Sequence, residues 1–288
     1  MTDVVLYAVT TAGAKELELS YEPSSLYDLP ESLALGVYTA LRTFDHYKFL
    51  QLSDHLRRLE QSMALLNWRY VLDEGAVRRA LHQVCVAYGH PEARVRIDVL
   101  ARPASELGSD SRVLLTLAPF EPPPAAVYEE GARLRLARQL QRRKPRAKTA
   151  DFVLARRNYP LNTAKAYEYL LLGDEERLLE GSGSNFYAVR DGSVLTAGDG
   201  VLEGITRKIV LQLVAKAGID LQLHAARLDE VAQLDEAFLS SSSRGLVPVR
   251  EIEGRVVGQG RPGPITRRLM ADYEQFVVQA VRPAVAPD

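Results

Sequence analysis

The sequence contains one cysteine, one tryptophan and no long apolar run. A single cysteine excludes an internal disulfide, so a reducing, cytoplasmic location is expected. No apolar stretch reaches the length of a membrane span, and the opening residues, MTDVVLYAVTTAG, lack the basic and apolar regions of a signal peptide. Lys plus Arg (36) nearly balances Asp plus Glu (37), so neither nucleic acid nor an anionic membrane is predicted as a partner.

Motifs for metal binding and for nucleophilic catalysis are also missing. The five histidines show no metal-ligand spacing, and neither an HExxH pattern nor a second cysteine accompanies them. We therefore predict no metal site. The sequence has no GxSxG turn, and the serine run at 240–243 has no histidine near it, which argues against a catalytic triad. Cys85 follows a helical apolar pattern, so we expect it in the core.

Three consecutive prolines mark the best domain boundary, in LAPFEPPPAAVYEEG. Such a run fits neither a helix interior nor a central strand. We predict an N-terminal α/β domain over 1–118, an interdomain linker over 119–130 and a C-terminal α+β domain over 131–288 that carries the key lysine.

Each domain has predicted elements of its own. The first alternates strand-like segments with two helices, one with Ser53 as its N-cap and one over roughly 74–88. The second has predicted strands at 185–190, 193–197, 236–242 and 246–257, and predicted helices at 205–217 and 264–282.

The stretch LLEGSGSNFYAV, residues 178–189, has the glycines of a phosphate loop but a glutamate at its mouth. A phosphate loop leads into a helix, whereas the apolar runs on both sides of this one predict strands. A Gly/Ser hairpin with a solvated glutamate is the simpler interpretation. The alternative is that Glu180 faces a cation, which the rest of the chain must supply.

Three further stretches are candidates for anion binding. Arg58 borders the buried face of the first helix, as either a snorkelling surface arginine or an anion clamp. Gly204 precedes an amphipathic helix whose free N–H groups suit a phosphate. Ser242 lies at a strand end in FLSSSSRGLVPV, in either a polar turn or a set of donors for an anion.

A fourth stretch, RRKPRAKTADF, offers an amine. Its lysines are mostly expected on a solvated face, but the chain enters packed structure at Lys148, where a partly desolvated amine becomes available for imine formation. A phosphate site, an imine-forming lysine and the Glu180 carboxylate together meet the needs of pyridoxal 5'-phosphate (PLP). That cofactor has a phosphate, an aldehyde and a ring nitrogen that a carboxylate keeps protonated.

The ordered set VYTALR, DHLRRLEQS, RAKTADF, LLEGSGSNFYAV, VLEGITR and AFLSSSSRGLVPV resembles the class IV, or fold type IV, PLP enzymes. These include branched-chain and D-amino-acid aminotransferases and aminodeoxychorismate lyase. The resemblance spans about 30–275 and implies a two-domain fold of α/β and α+β type. It also implies a homodimer in which the neighbouring subunit completes each active site.

By position, the resemblance makes Lys148 the Schiff-base lysine and Arg58, in H-x-x-R-L, the phosphate arginine. Glu180 is the partner of the pyridine nitrogen. Lys165 competes with Lys148, but it lies so close to Glu180 in sequence that we prefer Lys148.

The resemblance also assigns the remaining cofactor contacts. Asn185 would approach the ring hydroxyl, and Leu202 would pack on the ring face. The phosphate site would be completed by Ile205, Thr206 and Ser242.

Substrate residues carry over with departures from the family pattern. Tyr38 and Arg96 lie where branched-chain enzymes place an aromatic residue and an arginine. The glutamate usual inside the E-G-x-G-E-N loop is Ser184 here, and Ser243-Arg244 replaces a small apolar pair. Arg244 could therefore hold a substrate carboxylate.

The implied function is an aminotransferase for α-amino acids, with branched-chain or D-amino acids as donors and 2-oxoglutarate or a related oxo acid as acceptor. The alternative within the family is aminodeoxychorismate lyase, which eliminates pyruvate. A PLP-binding protein without turnover is a third interpretation, which the presence of both Lys148 and Glu180 disfavours.

Overall fold

The computed structural model describes residues 3–160 and 166–285. They divide into two compact units: one comprises residues up to Glu121, Ala147–Val153 and residues from Ala280 on, and the other comprises Pro122–Arg146 and Leu154–Gln279. The strands are β1 (Val5–Thr10), β2 (Gly13–Glu16), β3 (Val37–Phe44), β4 (Lys48–Leu50), β5 (Ala93–Val99), β6 (Val113–Pro119), β7 (Ala132–Ala137), β8 (Glu168–Leu172), β9 (Leu178–Gly181), β10 (Asn185–Arg190), β11 (Ser193–Leu195), β12 (Leu221–Gln222), β13 (Glu236–Ser241), β14 (Gly245–Ile252), β15 (Arg255–Val256) and β16 (Val281–Pro283).

The helices are α1 (Leu52–Leu65), α2 (Glu74–Ala87), α3 (Ala125–Glu130), α4 (Asp151–Arg156), α5 (Ile205–Lys216) and α6 (Pro264–Ala280), with short 3-10 turns at Ser105–Leu107, Asp174–Glu176 and Leu228–Gln233. Within the described ranges, none of the helices has the length and apolar character needed to cross a membrane.

The first unit is built on an antiparallel sheet with strand order β16-β4-β3-β5-β6-β1-β2. One face carries the apolar side chains of α1 and α2, which recur at helical spacing and are buried at Leu56, Leu59, Val77 and Leu81. Side chains are buried on both faces of β3 and β5, so these central strands have packed neighbours on either side.

The predicted start of α1 is wrong. The helix begins at Leu52, because Gln51 adopts a left-handed conformation (φ 52°) that turns the chain into the helix before Ser53 is reached. The Ser53 hydroxyl instead accepts a hydrogen bond from Arg78 Nη2 at 2.8 Å. In α2, by contrast, Asp73 caps the helix by accepting from Ala76 N at 2.8 Å.

The second unit contains a sheet with strand order β12-β11-β10-β13-β14-β7-β8-β9. Because β9 also pairs with β10, the ladder from β10 through β13, β14, β7, β8 and β9 closes into a ring. Most pairs are antiparallel, whereas β7 runs parallel to both β14 and β8. Because of this closure, β9 lies between β8 and β10. The loop over 181–184, which joins β9 to β10, therefore lies next to β8.

Two features differ from the predicted domain organisation. The segment predicted as a linker contains helix α3, which follows directly on the three prolines. Lys148, which was predicted in the C-terminal domain, lies in a segment that groups with the first unit. The reason is backbone pairing, since Tyr38 N donates to the Lys148 carbonyl at 3.0 Å and Ala150 N donates to the Gly36 carbonyl at 2.8 Å.

Candidate active site

Arg58 lies on α1 with its side chain directed at the sheet of the first unit. Its side chain is 6% exposed, and its Nη2 donates to Thr39 Oγ1 on β3 at 2.8 Å. The adjacent Arg57 is 60% exposed and pairs with Asp54. The prediction that Arg58 borders the buried face is confirmed.

Thr39 connects Arg58 to His55. A guanidinium can only donate, so Thr39 Oγ1 accepts from Arg58 and its own proton is free to reach His55 Nδ1, 2.7 Å away. Burial in the first place, and then the positive charges of Arg58 and Lys148, hold the pKa of His55 well below its ordinary value. His55 is therefore neutral at pH 7 and adds no charge beside Arg58.

Lys148 lies in an extended segment beside β3. Its N–H donates to Ser62 Oγ on α1 at 3.1 Å, and its carbonyl accepts from Tyr38 N. The residue is half-buried, and its Nζ lies 4.8 Å from the centre of the Tyr38 ring. Ala147 and Ala150 on either side are buried, as predicted for a chain that enters packed structure at this point. The backbone of Lys148 is thus fixed to both α1 and β3.

The opposite face of β3 and β5 carries Tyr38 and Arg96. Arg96 is 1% exposed and pairs with Asp98, with 2.6 Å between Nη2 and Oδ1. Its guanidinium lies over the rings of Tyr38 and Tyr27, at 4.5 Å and 5.2 Å from their centres. Burial raises the pKa of Asp98, and the charge of Arg96 opposes that rise. The predicted substrate cation therefore already has an internal counter-ion.

Glu180 lies near the end of β9, opposite Asn185 on β10. Its Oε1 accepts from Arg142 Nε at 2.9 Å, and its Oε2 accepts from Leu202 N at 3.1 Å and from Asn185 Nδ2 at 3.5 Å. Because the side chain is only 2% exposed, the interpretation of a hairpin with a solvated glutamate is wrong. A cation does face Glu180 in the structure, and it is Arg142.

The N-terminus of α5 follows Leu202 closely. Gly204 is the N-cap and offers no side chain to the free N–H groups of the first turn, in which Ile205 and Thr206 are both buried. A Cβ on Gly204 would lie 2.2 Å from Asn185 Oδ1, so a residue with a side chain could not approach Asn185 this closely. Asn185 Nδ2 also donates to the Leu202 carbonyl at 2.8 Å, which holds the approach to α5 against β10.

Ser242, Ser243 and Arg244 form the turn between β13 and β14. Gly245 follows at φ 63°, in the left-handed region that glycine adopts without strain. Arg244 Nε donates to Ser241 Oγ at 3.1 Å, which directs its side chain back along the turn. The structure thus places these predicted residues on one tight turn of the second unit.

Glu168 on β8 joins this turn to the 181–184 loop. Its carboxylate pairs with Arg244, with 2.8 Å between Nη2 and Oε2, and its other oxygen accepts from Gly183 N at 2.5 Å and from Ser184 Oγ at 3.1 Å. Burial alone would lower the pKa of Arg244, but Glu168 and Tyr167 together outweigh that effect and raise it. Ser184 stands where the family loop has a glutamate, and it has the carboxylate of Glu168 beside it.

Sequence reasoning missed Arg142, Glu168 and the Thr39–His55 contact. Arg142 was hidden in a basic run expected on a solvated face, although its side chain is 4% exposed. Glu168 leaves a signal, because it is an acidic residue at the start of the otherwise apolar strand EYLLL. His55 lies three residues before Arg58 on α1, but its partner on β3 depends on a contact across the fold.

The structure brings the predicted site residues together in two groups. The first unit holds Tyr38, Arg58, Arg96 and Lys148; the second holds Glu180, Ser184, Asn185, Leu202, Ile205, Thr206, Ser242, Ser243 and Arg244. Lys165, the competing lysine, lies outside the described residues.

Known proteins are similar to this chain over most of its length. Residues 36–252 match the family described as "Amino-transferase class IV". A probable branched-chain-amino-acid aminotransferase of Thermotoga maritima is 30% identical over 276 residues, which cover 92% of this chain and 93% of that protein. A D-alanine aminotransferase of Bacillus licheniformis is 32% identical over 117 residues, 40% of this chain and 41% of the relative.

Solved structures share the fold. The branched-chain amino acid aminotransferase of Thermobaculum terrenum in its PLP form superimposes with a TM-score of 0.76 at 21% identity, covering 99% of each chain. The Escherichia coli branched-chain amino acid aminotransferase gives a TM-score of 0.78 at 20% identity and covers 99% of this chain and 100% of the other.

Proposed function

The chain belongs to the class IV aminotransferase family, and on that premise we propose that it transfers an amino group from an α-amino acid to a 2-oxo acid with PLP as cofactor and Lys148 as the cofactor's covalent partner. Branched-chain or D-amino acids are the proposed donors, because the similar proteins carry both names. The family resemblance and the two-domain fold type IV class predicted from the sequence are confirmed.

The described residues fit the phosphate of this cofactor. Arg58 is a buried cation that Thr39 orients, and a guanidinium binds phosphate oxygens through charge-assisted hydrogen bonds. The first turn of α5 offers N–H groups behind Gly204, where a helix N-terminus favours negative charge. We propose that Arg58, Ile205, Thr206 and Ser242 bind the phosphate.

Glu180 fits the ring nitrogen. Two carboxylate oxygens offer about four acceptor positions, and the hydrogen bonds from Arg142, Leu202 and Asn185 use three of them. These donors fix the orientation of the carboxylate. We propose that Glu180 holds a proton on the ring nitrogen, with Asn185 beside the ring hydroxyl and Leu202 against the ring face.

When bound, the cofactor supplies an aldehyde that takes an amine and a ring that withdraws electrons. Lys148 Nζ is the amine that this chain offers. With a substrate amine in its place, Nζ would be the base that takes the proton from the substrate Cα and delivers it to the former aldehyde carbon of the cofactor. The hydrogen bonds of the Lys148 backbone to Ser62 and Tyr38 fix the point from which its side chain reaches.

The substrate side of the proposal rests on Tyr38, Arg96, Ser184, Ser243 and Arg244. Tyr38 supports this role by its closeness to the Lys148 amine, and Ser184 and Arg244 by their position at the loop that joins Glu180 to Asn185. The family resemblance supports a homodimer. The single cysteine supports a cytoplasmic location.

The observation that carries the proposal is the ordered carboxylate of Glu180 beside an uncapped helix start in a class IV aminotransferase chain. The experiment is a half-reaction followed by absorbance. An amino acid alone should convert the bound PLP to the pyridoxamine form, and an oxo acid should restore it. Pyruvate release from aminodeoxychorismate, without conversion by any amino acid, would favour the lyase. Cofactor binding without either reaction would favour a protein without turnover.

A further inference from the structure

Ser62 is a buried serine on α1 that contacts both Arg58 and Lys148, the residues proposed to bind the phosphate and the aldehyde of the cofactor. It lies four residues after Arg58, on the same face of the helix, and is 0% exposed. Its Oγ donates to the Arg58 carbonyl at 2.7 Å and accepts from Lys148 N at 3.1 Å. One hydroxyl therefore joins the helix that carries Arg58 to the segment that carries Lys148.

The chemistry of the partners fixes the direction of these two hydrogen bonds. A backbone carbonyl only accepts and a backbone N–H only donates, so the single hydroxyl proton of Ser62 goes to Arg58 and a lone pair faces Lys148. A serine inside a helix often bonds the carbonyl four residues earlier in this way. The Ser62 hydroxyl is thus oriented by its own helix and offers Lys148 an acceptor at a fixed point.

A second path joins the same two residues through β3. Arg58 Nη2 donates to Thr39 Oγ1 at 2.8 Å, and Tyr38 N, one residue earlier on that strand, donates to the Lys148 carbonyl at 3.0 Å. The backbone of Lys148 is therefore bonded to α1 on its N–H side and to β3 on its carbonyl side. All of these residues belong to the first unit.

Loss of the Ser62 hydroxyl would affect Arg58 and Lys148 differently. Thr39 orients the Arg58 guanidinium, and the Arg58 carbonyl lies inside α1, where the backbone N–H four residues later also donates to it. The Lys148 N–H lies outside the helices and strands, and without Ser62 Oγ it loses its hydrogen bond to α1. The phosphate contact should persist, whereas the point from which the Lys148 side chain reaches is no longer fixed on that side.

We propose, on the basis of the proposed function, that Ser62 is a positioning residue that sets where the Lys148 side chain begins relative to Arg58. A ligand held by its phosphate then presents its aldehyde to Lys148 Nζ, which forms a C=N bond to the aldehyde carbon as one water leaves. Ser62 acts through Lys148 and favours this bond, because a reaction between two held groups depends steeply on where they are held.

The test compares PLP with pyridoxine 5'-phosphate, in which a hydroxymethyl group replaces the aldehyde. Both ligands carry the phosphate, but only PLP can bond to Lys148, so the ratio of their dissociation constants isolates the contribution of the lysine. Equilibrium titration of the apoprotein, read by protein fluorescence, gives both constants. Wild type should bind PLP more tightly by about 100-fold or more, because the amine is held next to the aldehyde. Lys148→Ala should bring the ratio close to one.

Ser62→Ala should lower the ratio about tenfold, by weakening the binding of PLP while pyridoxine 5'-phosphate binds within about threefold of wild type. Alanine forms helices better than serine, so α1 should persist. Ser62→Thr keeps a hydroxyl on the same atom and should keep the ratio within about threefold of wild type. Ser53→Ala is the matched control on the same helix, because the Ser53 hydroxyl accepts from Arg78 instead. It should leave the ratio unchanged.

Equal weakening of the two ligands by Ser62→Ala would overturn the inference, because a hydroxyl that only stabilises the surrounding structure supports both ligands alike. An unchanged affinity for both would overturn it as well. A wild-type ratio as low as that of Lys148→Ala would instead overturn the proposed function, since Lys148 would then not bond to PLP.

Discussion

Arg58 and Arg244 are both buried or half-buried arginines near proposed anion sites, yet their surroundings differ. Arg58 in the first unit donates to a hydroxyl, and its charge is felt by His55, whose pKa is held well below its ordinary value. Arg244 in the second unit contacts the Glu168 carboxylate, and its own pKa is raised by that contact, against the effect of burial. Arg142 resembles Arg244, because it pairs with Glu180.

The two arginines differ in the charge of the group that orients the guanidinium. A hydroxyl accepts a hydrogen bond from a guanidinium and orients it without adding a negative charge. A carboxylate orients the guanidinium and also places a negative charge beside it, so the two form an ion pair. The contact of Arg58 with Thr39 is therefore with a neutral group, whereas Arg244 and Arg142 are each held by a carboxylate.

The largest effect is expected from removal of the carboxylate in the Arg142–Glu180 pair. Glu180→Gln should lower kcat on the order of 100-fold, because an amide cannot stabilise a protonated ring nitrogen ionically, and KM should change less. The measurement is steady-state kinetics at saturating PLP, expressed per bound cofactor.

Stability must be measured alongside, because the change leaves Arg142 without its carboxylate partner. Glu236→Gln, which also loses a buried carboxylate, should keep kcat near wild type. A near-normal kcat in Glu180→Gln would remove Glu180 from the mechanism and reduce the pair to a structural one.

The next largest effect is expected from removal of the Arg58 guanidinium. Arg58→Ala should weaken PLP binding about 10- to 100-fold, since a hydrogen bond to a charged group contributes about 1.5–3 kcal/mol. Equilibrium titration of the apoprotein with PLP, read by protein fluorescence, gives the dissociation constant directly.

Arg57→Ala is the control on the same helix, because Arg57 is exposed and pairs with Asp54. It should leave PLP affinity unchanged. Equal affinities of the Arg58 and Arg57 variants would return Arg58 to a buried structural role and remove the contrast with Arg244.

The smallest effect is expected on the pH dependence of stability, through the buried imidazole of His55. The folded pKa of His55 is depressed, so the unfolded state binds more protons below pH 6.5, and the stability that His55 contributes is present above that pH and lost as pH falls toward the folded pKa. Wild type should lose up to about 1.4 kcal/mol per pH unit in this window relative to His55→Asn, whose side chain can accept the Thr39 proton without titrating.

Urea unfolding of both proteins at pH 7.5, 6.5 and 5.5 measures this difference. Parallel dependence of the unfolding free energy on pH in the two proteins would mean that the pKa of His55 is the same in the folded and unfolded states.

Local sequence patterns predicted several of the helices and strands that carry the proposed site residues. The period of apolar residues predicted strand β10 at its observed bounds and α5 to within a residue, and it placed Arg58 at the border of the buried face of α1. These features depend on residues close together in sequence. The start of α1 was predicted wrongly because the left-handed Gln51 leaves no mark that a capping rule can find.

The partners of the charged groups could not be predicted, because they depend on which strands become neighbours. Glu168 reaches Ser184 only because β8 lies beside β9 in the closed ladder. Arg142 reaches Glu180 from a segment far away in sequence. The order of the sequence motifs predicts the residues that are proposed to contact a ligand. The ion-pair partners of those residues depend on the fold.

The central claim is that Lys148, fixed to α1 and β3, is the lysine that takes the cofactor. Reduction of the PLP-loaded protein with borohydride, followed by peptide mapping, tests it most directly. We predict a yellow protein whose visible band is lost on reduction and a single phosphopyridoxyl adduct, on Lys148. An adduct on Lys165 would contradict the account.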